Sequence, residues 1–183
     1  CQYLRKKTAS GKNLSPTYVA NSRFLLTKHI LPFFGKMYLT RISTNDIENW
    51  IIRLKDSAKL SDSTLKNCYS ILRLMLNEAE RLDMIYKNPF KKAMKIVVQR
   101  AEKGIFDIEE YRKLFDEKNI SYLWNDNLIH YTASLLAASG GLRLGEVQAL
   151  QNKGVFDHYV FIEHNYCRIS GLKSTKNKEV RYV

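Results

Sequence analysis

Apolar residues in the first half of the chain recur every three or four positions, the spacing of an amphipathic helix. Ser15 followed by Pro16 is a typical helix start, with a capping side chain and proline at the first helical position. Similar starts follow near residues 43–44 and at 61–63. We therefore predict one helix that ends at Leu31-Pro32 before a turn through Gly35, a second from 43 and a third from 61 to about 82.

The predicted helices share one-sided apolar faces, which indicates that they pack together. The faces comprise Tyr18, Phe24, Leu25, Leu26 and Ile30; Ile47, Trp50, Ile51 and Leu54; and Leu65, Tyr69, Leu72, Met75, Leu76 and Ala79. Residues 1–8 suggest the remnant of a further helix. The prediction for residues 1–90 is an all-α bundle of about four helices, closed by Asn88-Pro89.

The second half of the chain changes from short helices to strands. Asp107 and Glu110 form a capping-box pattern that starts a helix to about Lys118. Further helices are expected over 125–139, before Gly140-Gly141, and over 144–151. After Gly154 the sequence becomes rich in strand-forming residues, which predicts strands at 155–156, 159–162, 166–172 and 180–183, with a polar turn at 173–178. The predicted fold is mainly α, with a helical first domain and a partial α+β domain that contains a small antiparallel sheet.

Positive charge is concentrated in the first half of the chain. Residues 1–90 hold 15 Lys and Arg against 7 Asp and Glu, residues 91–106 hold 5 against 1, and residues 107–183 hold 10 against 10. The whole net charge of +12 therefore lies before residue 107. Such a local excess favours a nucleic-acid partner. When Lys and Arg neutralise phosphates, the counterions bound to the nucleic acid are released, and this release favours binding. An acidic protein partner or a membrane surface would be the alternative.

Other features of the composition exclude several protein classes. No apolar run is long enough for a membrane span, and the start, which is not Met, lacks the apolar stretch of a signal peptide. The cysteines Cys1, Cys68 and Cys167 are odd in number and far apart, which argues against a disulfide framework or zinc site. We expect a cytoplasmic protein whose natural N-terminus lies upstream, with no metal or other cofactor.

A polar stripe on the third predicted helix is a candidate DNA-binding face. The stripe consists of Lys66, Ser70, Arg73, Asn77 and Arg81, with Ser63 and Asn67 at its flank. Their spacing places them along one side of a helix, where Lys and Arg can bind phosphates and Asn or Arg can contact base edges. The alternative is the solvated outer face that every amphipathic helix has.

The segment SGGLRLGEVQAL, residues 139–150, is the most specific motif in the chain. An apolar helix ends in glycines, Arg143 is presented at the turn, and Glu146 follows at the start of the next helix. A fixed guanidinium in such a position could bind two phosphate oxygens and balance charge in phosphoryl transfer. Glu146 could orient Arg143. An Arg–Glu pair that ties two helices together would explain the same spacing.

This segment resembles the first arginine box of tyrosine recombinases, the phage-integrase family, whose form is S/T-G-L/M-R-x-x-E-hydrophobic-x-x-L. The runs KHILPFFGKMYLTRISTNDIENWI and STLKNCYSILRLMLNEAERLDMIYKNPF resemble the core-binding (SAM-like) domain of that family. AEKGIFDIEEYRKLF is similar to the opening of its catalytic domain. The resemblance implies a core-binding domain at 1–90, a basic linker at 91–105, and the N-terminal part of the catalytic domain at 106–183.

The resemblance also implies roles for individual residues. Arg143 would contact the scissile phosphate, and Glu146 would support the site. A lysine between the second and third strands would protonate the leaving 5′ oxygen, for which Lys176 fits best, Lys173 second and Lys178 third. Gly140 departs from the family, which usually has Ser or Thr there, and is expected to loosen the turn.

The family's H-x-x-R box and nucleophilic tyrosine do not occur in these residues. None of the histidines has Arg three positions later, so we interpret each as a packing or surface residue: His29, His130, His158 and His164. Tyr182 is interpreted as structural. We therefore expect a fragment of a site-specific DNA recombinase of a mobile element that binds duplex DNA without cleaving it, monomeric alone and tetrameric on DNA when complete. The alternatives are a non-catalytic DNA-binding protein and a helical protein–protein module.

Overall fold

The computed structural model describes residues 14–56, 60–98, 102–175 and 180–183, and the chain divides into two units. The first unit covers residues 1–101 and the second covers residues 102–183. Within the described residues, strands occur only in the second unit, where they form two small antiparallel pairs. The predicted fold class, mainly α with a small antiparallel sheet component, is confirmed.

The described residues of the first unit form three long helical stretches. The first comprises α1 (Pro16–Leu25), a π-helical segment (Leu26–Ile30) and α2 (Leu31–Phe34). The others are α3 (Thr44–Asp56) and α4 (Asp62–Arg81), with short 3-10 turns at Leu39–Arg41 and Pro89–Lys91. The fourth helix predicted at residues 1–8 lies outside the described residues.

The first helical stretch passes through Pro32 and ends at Phe34, so the predicted end at Leu31-Pro32 was wrong. Proline lacks an N–H, and its ring clashes with the carbonyl four residues earlier in a regular α-helix. The π-helical segment just before Pro32 widens the backbone, and the N–H of Leu31 donates to the carbonyl of Leu26. This local widening lets the helix continue for one more turn.

The core of the first unit is built largely from the predicted apolar faces, but three of their members are exposed, Tyr18 among them. Trp50 is 1% exposed, contacts Phe34 edge-on at 5.5 Å, and donates from Nε1 to the backbone carbonyl of His29 at 2.8 Å. Cys68 is buried in this core, whereas Met75, predicted to face it, is 38% exposed. Phe24 is also exposed, and the ammonium group of Lys28 lies over its ring.

Part of the predicted linker packs against the first unit. Ala93 is buried in its core and Ile96 packs against that core. The N–H of Met94 donates to the carboxylate of Glu48 at 3.0 Å. The boundary between the units lies at 101/102, so these residues are part of the first unit.

The helices of the second unit are shorter and more numerous than predicted. They are α5 (Ile108–Leu114), α6 (Ile120–Trp124), α7 (Leu128–Gly140) and α8 (Leu144–Val147), with 3-10 turns at Glu117–Asn119 and Asn152–Gly154. The predicted capping box at Asp107 and Glu110 is confirmed. The predicted helices at 107–118 and 144–151 end early, and α6 was missed.

The predicted helix start at Asn125 was wrong, because this residue ends α6. Asn125 has a φ of 49°, in the left-handed region that asparagine tolerates at helix ends. The side chain of Asn127 then caps α7 by accepting from the N–H of His130 at 3.0 Å. Phe115, Trp124 and Tyr131 form an aromatic cluster that holds α5, α6 and α7 together.

The strands form two separate two-stranded sheets. They are β1 (Phe161–Ile162), β2 (His164–Cys167), β3 (Gly171–Ser174) and β4 (Arg181–Tyr182). β1 pairs with β4, and β2 pairs with β3, both antiparallel. The predicted strand at 155–156 is only an isolated bridge between Val155 and Val160.

The predicted strand at 166–172 was wrong, because the chain reverses within it. The N–H of Ser170 donates to the carbonyl of Cys167 at 3.2 Å, and Gly171 follows with a φ of +66°. Glycine adopts this left-handed conformation without strain, so it allows the chain to turn back into the next strand. Lys173 and Ser174, predicted to lie in a turn, therefore belong to β3.

Candidate functional site

The turn between α7 and α8 presents Arg143. Gly141 ends α7 with a φ of +60°, a left-handed conformation that glycine adopts without strain. The N–H of Leu142 returns to the carbonyl of Ala137 at 3.1 Å, and the Leu142 side chain is buried. These contacts fix the path of the chain, so that Arg143 stands in extended conformation at the N-cap of α8.

Two glycines allow close packing around this turn. A Cβ at Gly140 would lie 2.7 Å from a methyl group of Val183, which leaves little room for the Ser or Thr expected there. A Cβ at Gly145 would lie 2.7 Å from the backbone oxygen of Tyr166 and from the side-chain nitrogen of Asn165. The start of α8 therefore packs directly against β2, where only glycine fits without a shift.

Glu146 is the buried centre of the site. Its side chain has no solvent exposure and, among the described residues, accepts three hydrogen bonds from Arg143 and Arg181. Oε1 accepts from Nη1 of Arg143 at 2.9 Å. Oε2 accepts from the backbone N–H of Arg143 at 3.0 Å and from Nη2 of Arg181 at 2.7 Å. We refer to Arg143, Glu146 and Arg181 as the arginine cluster.

Arg181 was missed in the sequence analysis. It lies in β4, 35 residues after Glu146, opposite Ile162 in the ladder with β1. One weak signal was present, an arginine between apolar residues of a predicted strand. Its partner could not be identified from the sequence, because the burial of Glu146 depends on the folding of distant segments.

The cluster carries a net positive charge. Burial raises the pKa of Glu146, but hydrogen bonds from Arg143 and the charges of Arg181 and Arg143 outweigh it and lower the pKa below its ordinary value. One carboxylate then faces two guanidinium groups, whose side chains are 54% exposed for Arg143 and 38% exposed for Arg181. Such an arrangement can bind a phosphate oxygen from solvent.

The alternative interpretation of Arg143 and Glu146 is partly realised. The two residues do form an ion pair, as that interpretation required. Both belong to the beginning of α8, however, so their pair does not tie two helices together. The link to a second element is made by Arg181, which joins α8 to β4.

The candidate general-acid lysines fall in different places. Lys176 and Lys178 lie outside the described residues. Lys173 is exposed on β3, where it is paired with Asn165 of β2. Its assignment as a catalytic residue stays a prediction.

The predicted DNA-binding stripe is exposed along α4. It comprises Ser63, Lys66, Asn67, Ser70, Arg73 and Asn77. Two of these side chains also make structural contacts within the first unit. Ser70 donates to the carbonyl of Lys66 at 2.8 Å, and Asn77 accepts from the buried Asn88 side chain at 2.8 Å. Arg81, at the end of the stripe, is paired with Glu78.

The stripe forms one side of a groove of about 680 Å³ in the first unit. We call it the basic groove. Its polar lining residues are Lys66, Ser70, Arg73, Asn77, Glu80, Lys91 and Lys95. Glu80 is bonded to Lys91 at 2.8 Å, and this bond is the main reason that the pKa of Glu80 is lowered. The groove therefore carries excess positive charge.

The remaining candidates have local roles. His29 is buried, which lowers its pKa, and His164 lies 3.2 Å from Glu163. The Tyr182 ring contacts Phe161. Within the described ranges, no group of three or more His, Cys, Asp or Glu side chains could hold a metal ion. Over the same ranges, no helix combines the length and apolar character that a bilayer span requires.

Comparison with known proteins finds similarity to integrases. The family model for the phage integrase N-terminal SAM-like domain matches residues 3–55. The chain is similar to the ICEBs1 integrase of Bacillus subtilis (strain 168), with 26% identity over 140 residues, 76% of this chain and 36% of that protein. The resemblance to tyrosine recombinases predicted from the sequence is confirmed.

Solved structures share the fold. A structure of the Tn1549 transposon integrase in complex with transposon right-end DNA is similar with a TM-score of 0.78 and 19% identity, over 99% of this chain and 58% of that one. A lambda integrase tetramer bound to a Holliday junction is similar with a TM-score of 0.74 and 17% identity, over 97% of this chain and 47% of that one. The chain thus spans about a third to three fifths of the length of these relatives.

Proposed function

We propose that this chain acts in site-specific DNA recombination by a tyrosine recombinase, with Arg143 binding the scissile phosphate. The observation that carries the proposal is the arginine cluster, in which a buried carboxylate holds two partly exposed guanidinium groups. The relatives support it, because they include integrases in complex with transposon DNA and with a Holliday junction. Glu146 would support the site by orienting Arg143.

The chemistry of strand cleavage needs positive charge at the phosphate. In the proposed reaction, a tyrosine hydroxyl attacks the phosphodiester, a 3′-phosphotyrosyl bond forms, and the bond to the 5′ oxygen breaks. Arg143 would stabilise the charge on the non-bridging oxygens, and a lysine, Lys176 before Lys173, would protonate the leaving 5′ oxygen. The covalent link conserves the phosphodiester bond energy for rejoining, so the reaction needs no cofactor.

The basic groove would bind duplex DNA by contacting the phosphates of the DNA backbone. Lys66, Arg73 and Lys95 are exposed on its walls and can each replace counterions, whereas Lys91 is already paired with Glu80. Polar residues of α4, such as Asn67, could contact bases or sugars beside these phosphate contacts. A DNA substrate would place the protein in the cytoplasm, and assembly of a tetramer on DNA would follow the lambda integrase example.

The salt dependence of DNA binding tests this role of the groove. We expect Lys66→Gln and Arg73→Gln each to reduce the slope of log affinity against log salt by about 0.9, the value for one lost phosphate contact. Fluorescence anisotropy of labelled duplex DNA at several KCl concentrations measures the slope. Arg53→Gln is the matched control, because it removes one exposed positive charge from α3 of the same unit. Equal slopes for all three variants would refute groove binding.

We further propose that the 183-residue chain binds DNA without cleaving it. No tyrosine among these residues stands in the sequence context of the family nucleophile. Incubation with a nicked duplex that traps cleaved intermediates, followed by a denaturing gel, should give no covalent adduct. A DNA adduct that maps to any tyrosine of this chain would contradict the proposal.

A non-catalytic DNA-binding function is the second candidate. The observation in its favour is that the basic groove lies wholly in the first unit and does not involve the arginine cluster. The two functions differ in their dependence on Arg143. Sequence-specific binding that is unchanged in Arg143→Ala, with no strand exchange by the complete natural protein, would favour the second function.

A further inference from the structure

The carboxylate of Glu146 is shared by two arginines from different elements of the second unit. Arg143 stands three residues before Glu146, and an isolated ion pair at this spacing contributes little when one partner is exposed. Arg181 approaches from β4 and makes the shortest of the three hydrogen bonds, at 2.7 Å to Oε2. The bond from Arg181 is therefore the one that attaches the carboxylate to another part of the fold.

The backbone around Arg181 is held in place on both sides. β4 pairs with β1, and Arg181 is opposite Ile162, which is 2% exposed. Beyond it, Val183 and Val160 exchange two backbone hydrogen bonds, at 2.7 and 3.0 Å. A guanidinium on such a strand has fewer conformations to lose than one on a free loop, so it can fix the carboxylate at a low entropic cost.

We propose that Arg181 is a positioning residue, which holds Arg143 in place for a phosphate through the shared carboxylate of Glu146. The inference rests on the proposed role of Arg143. Arg181 fixes Oε2, and this leaves Oε1 directed at Nη1 of Arg143. Arg143 is the more exposed of the two side chains, at 54% against 38%, and is the more accessible to a phosphate.

The order of the Arg143 side chain tests positioning without DNA. The resonance of its Nε–H group is assigned by its loss in Arg143→Lys, and the heteronuclear NOE measures its motion. We expect the NOE to fall in Arg181→Gln and to be restored largely in Arg181→Lys, which keeps a charged donor. Arg112→Gln is the control, because Arg112 forms an exposed i, i+3 pair with Glu109 in the same unit. An unchanged NOE in folded Arg181→Gln would overturn the proposal.

A double-mutant cycle tests whether Arg181 acts through Glu146. In the Glu146→Gln background, Arg181→Gln should cause no further loss of Arg143 order. A further loss would mean that Arg181 acts independently of the carboxylate and would overturn the proposal. This comparison can still be made if Arg181→Gln alone does not fold. The double variant removes the charges of both Glu146 and Arg181, so neither is left without its partner.

DNA affinity separates failure of this inference from failure of the proposed function. We expect Arg181→Gln to weaken binding of duplex DNA by about threefold, an effect in the usual range for coupled residues, and to have no effect in the Arg143→Ala background. An Arg143→Ala variant that binds as tightly as the wild type would refute the phosphate role of Arg143, whereas the NOE would still report positioning. A threefold loss that persists in Arg143→Ala would indicate a direct DNA contact by Arg181 and would overturn the inference.

Discussion

The basic groove of the first unit and the arginine cluster of the second unit both present positive charge, but they hold it differently. Lys66 and Arg73 in the groove are exposed and separated along one helix face. In the cluster, Arg143 and Arg181 share one fully buried carboxylate. The groove thus offers several exposed charges without a buried partner, whereas the cluster offers charge held by a buried carboxylate.

This difference indicates different physical tasks. Exposed charges neutralise phosphates additively, and the binding they provide becomes weaker as the salt concentration rises. The number of these charges therefore matters more than their geometry. A guanidinium held by a buried acceptor is oriented before a ligand arrives, which is what transition-state stabilisation requires. Lysine should therefore substitute for arginine in the groove more readily than at Arg143.

Loss of the central carboxylate should give the largest effect on stability. Glu146→Ala leaves two guanidinium groups and the N–H of Arg143 without their acceptor, and we expect the second unit to lose about 3 kcal/mol of unfolding free energy. Urea unfolding followed by fluorescence measures it. The two tryptophans lie in different units, so a Trp50→Phe background lets Trp124 report the second unit alone.

The control for this prediction is Glu109→Ala, which removes an exposed carboxylate paired with Arg112 in the same unit. We expect this variant to change stability by less than about 0.5 kcal/mol, as exposed pairs usually do. Similar losses for both variants would show that the cluster is no more organised than a surface pair, and the contrast with the groove would disappear.

Acid should weaken the cluster selectively. Because the pKa of Glu146 is lowered in the folded state, its stabilisation is complete above the unfolded pKa of about 4.3 and is lost as pH falls through the lower folded pKa. The stability difference between the wild type and Glu146→Gln should therefore shrink below about pH 4.3. Unfolding of the second unit at several pH values, again followed by Trp124, measures this difference.

The first unit provides the internal control for the pH experiment. A Trp124→Phe background reports it through Trp50, and Glu146→Gln should leave its acid unfolding unchanged. If the stability difference in the second unit were constant with pH, Glu146 would have an ordinary pKa. The two arginines would then contribute no net electrostatic stabilisation.

The sequence predicted what depends on neighbouring residues. The helix starts at Ser15 and Asp107 were found because the capping residue and its partner lie within three positions. The passage of the helix through Pro32 and the reversal before Gly171 were not found. In both cases, one backbone distortion overrode a local pattern, a π-helical segment at Pro32 and a left-handed glycine at Gly171.

Only the part of the candidate site whose residues are close together in the sequence could be predicted. Arg143 and Glu146 could be paired because they are three residues apart and lie in a recognisable motif. Arg181 could not, because its contact with Glu146 requires β4 to pair with β1. Asn77 shows the opposite problem, since a polar stripe does not reveal which of its members hold the fold together.

Asn77→Ala should have a smaller effect, which distinguishes structural from DNA-contacting members of the groove. Asn77 accepts a hydrogen bond from Asn88, which is 1% exposed and whose own side-chain oxygen accepts from the N–H of Phe90 at 2.9 Å. Loss of one acceptor for a buried amide should cost the first unit about 1 kcal/mol. Urea unfolding reported by Trp50 in a Trp124→Phe background measures this cost.

DNA binding gives the complementary half of that experiment. If Asn77 serves mainly to hold Asn88, Asn77→Ala should bind DNA as tightly as the wild type at the same salt concentration, in contrast to Arg73→Gln. Asn67→Ala is the matched control, an exposed asparagine on the same helix, and we expect it to leave stability unchanged within about 0.5 kcal/mol. Full stability of Asn77→Ala together with weakened DNA binding would reverse the assignment and make Asn77 a contact residue, because a purely structural residue cannot affect binding without affecting the fold.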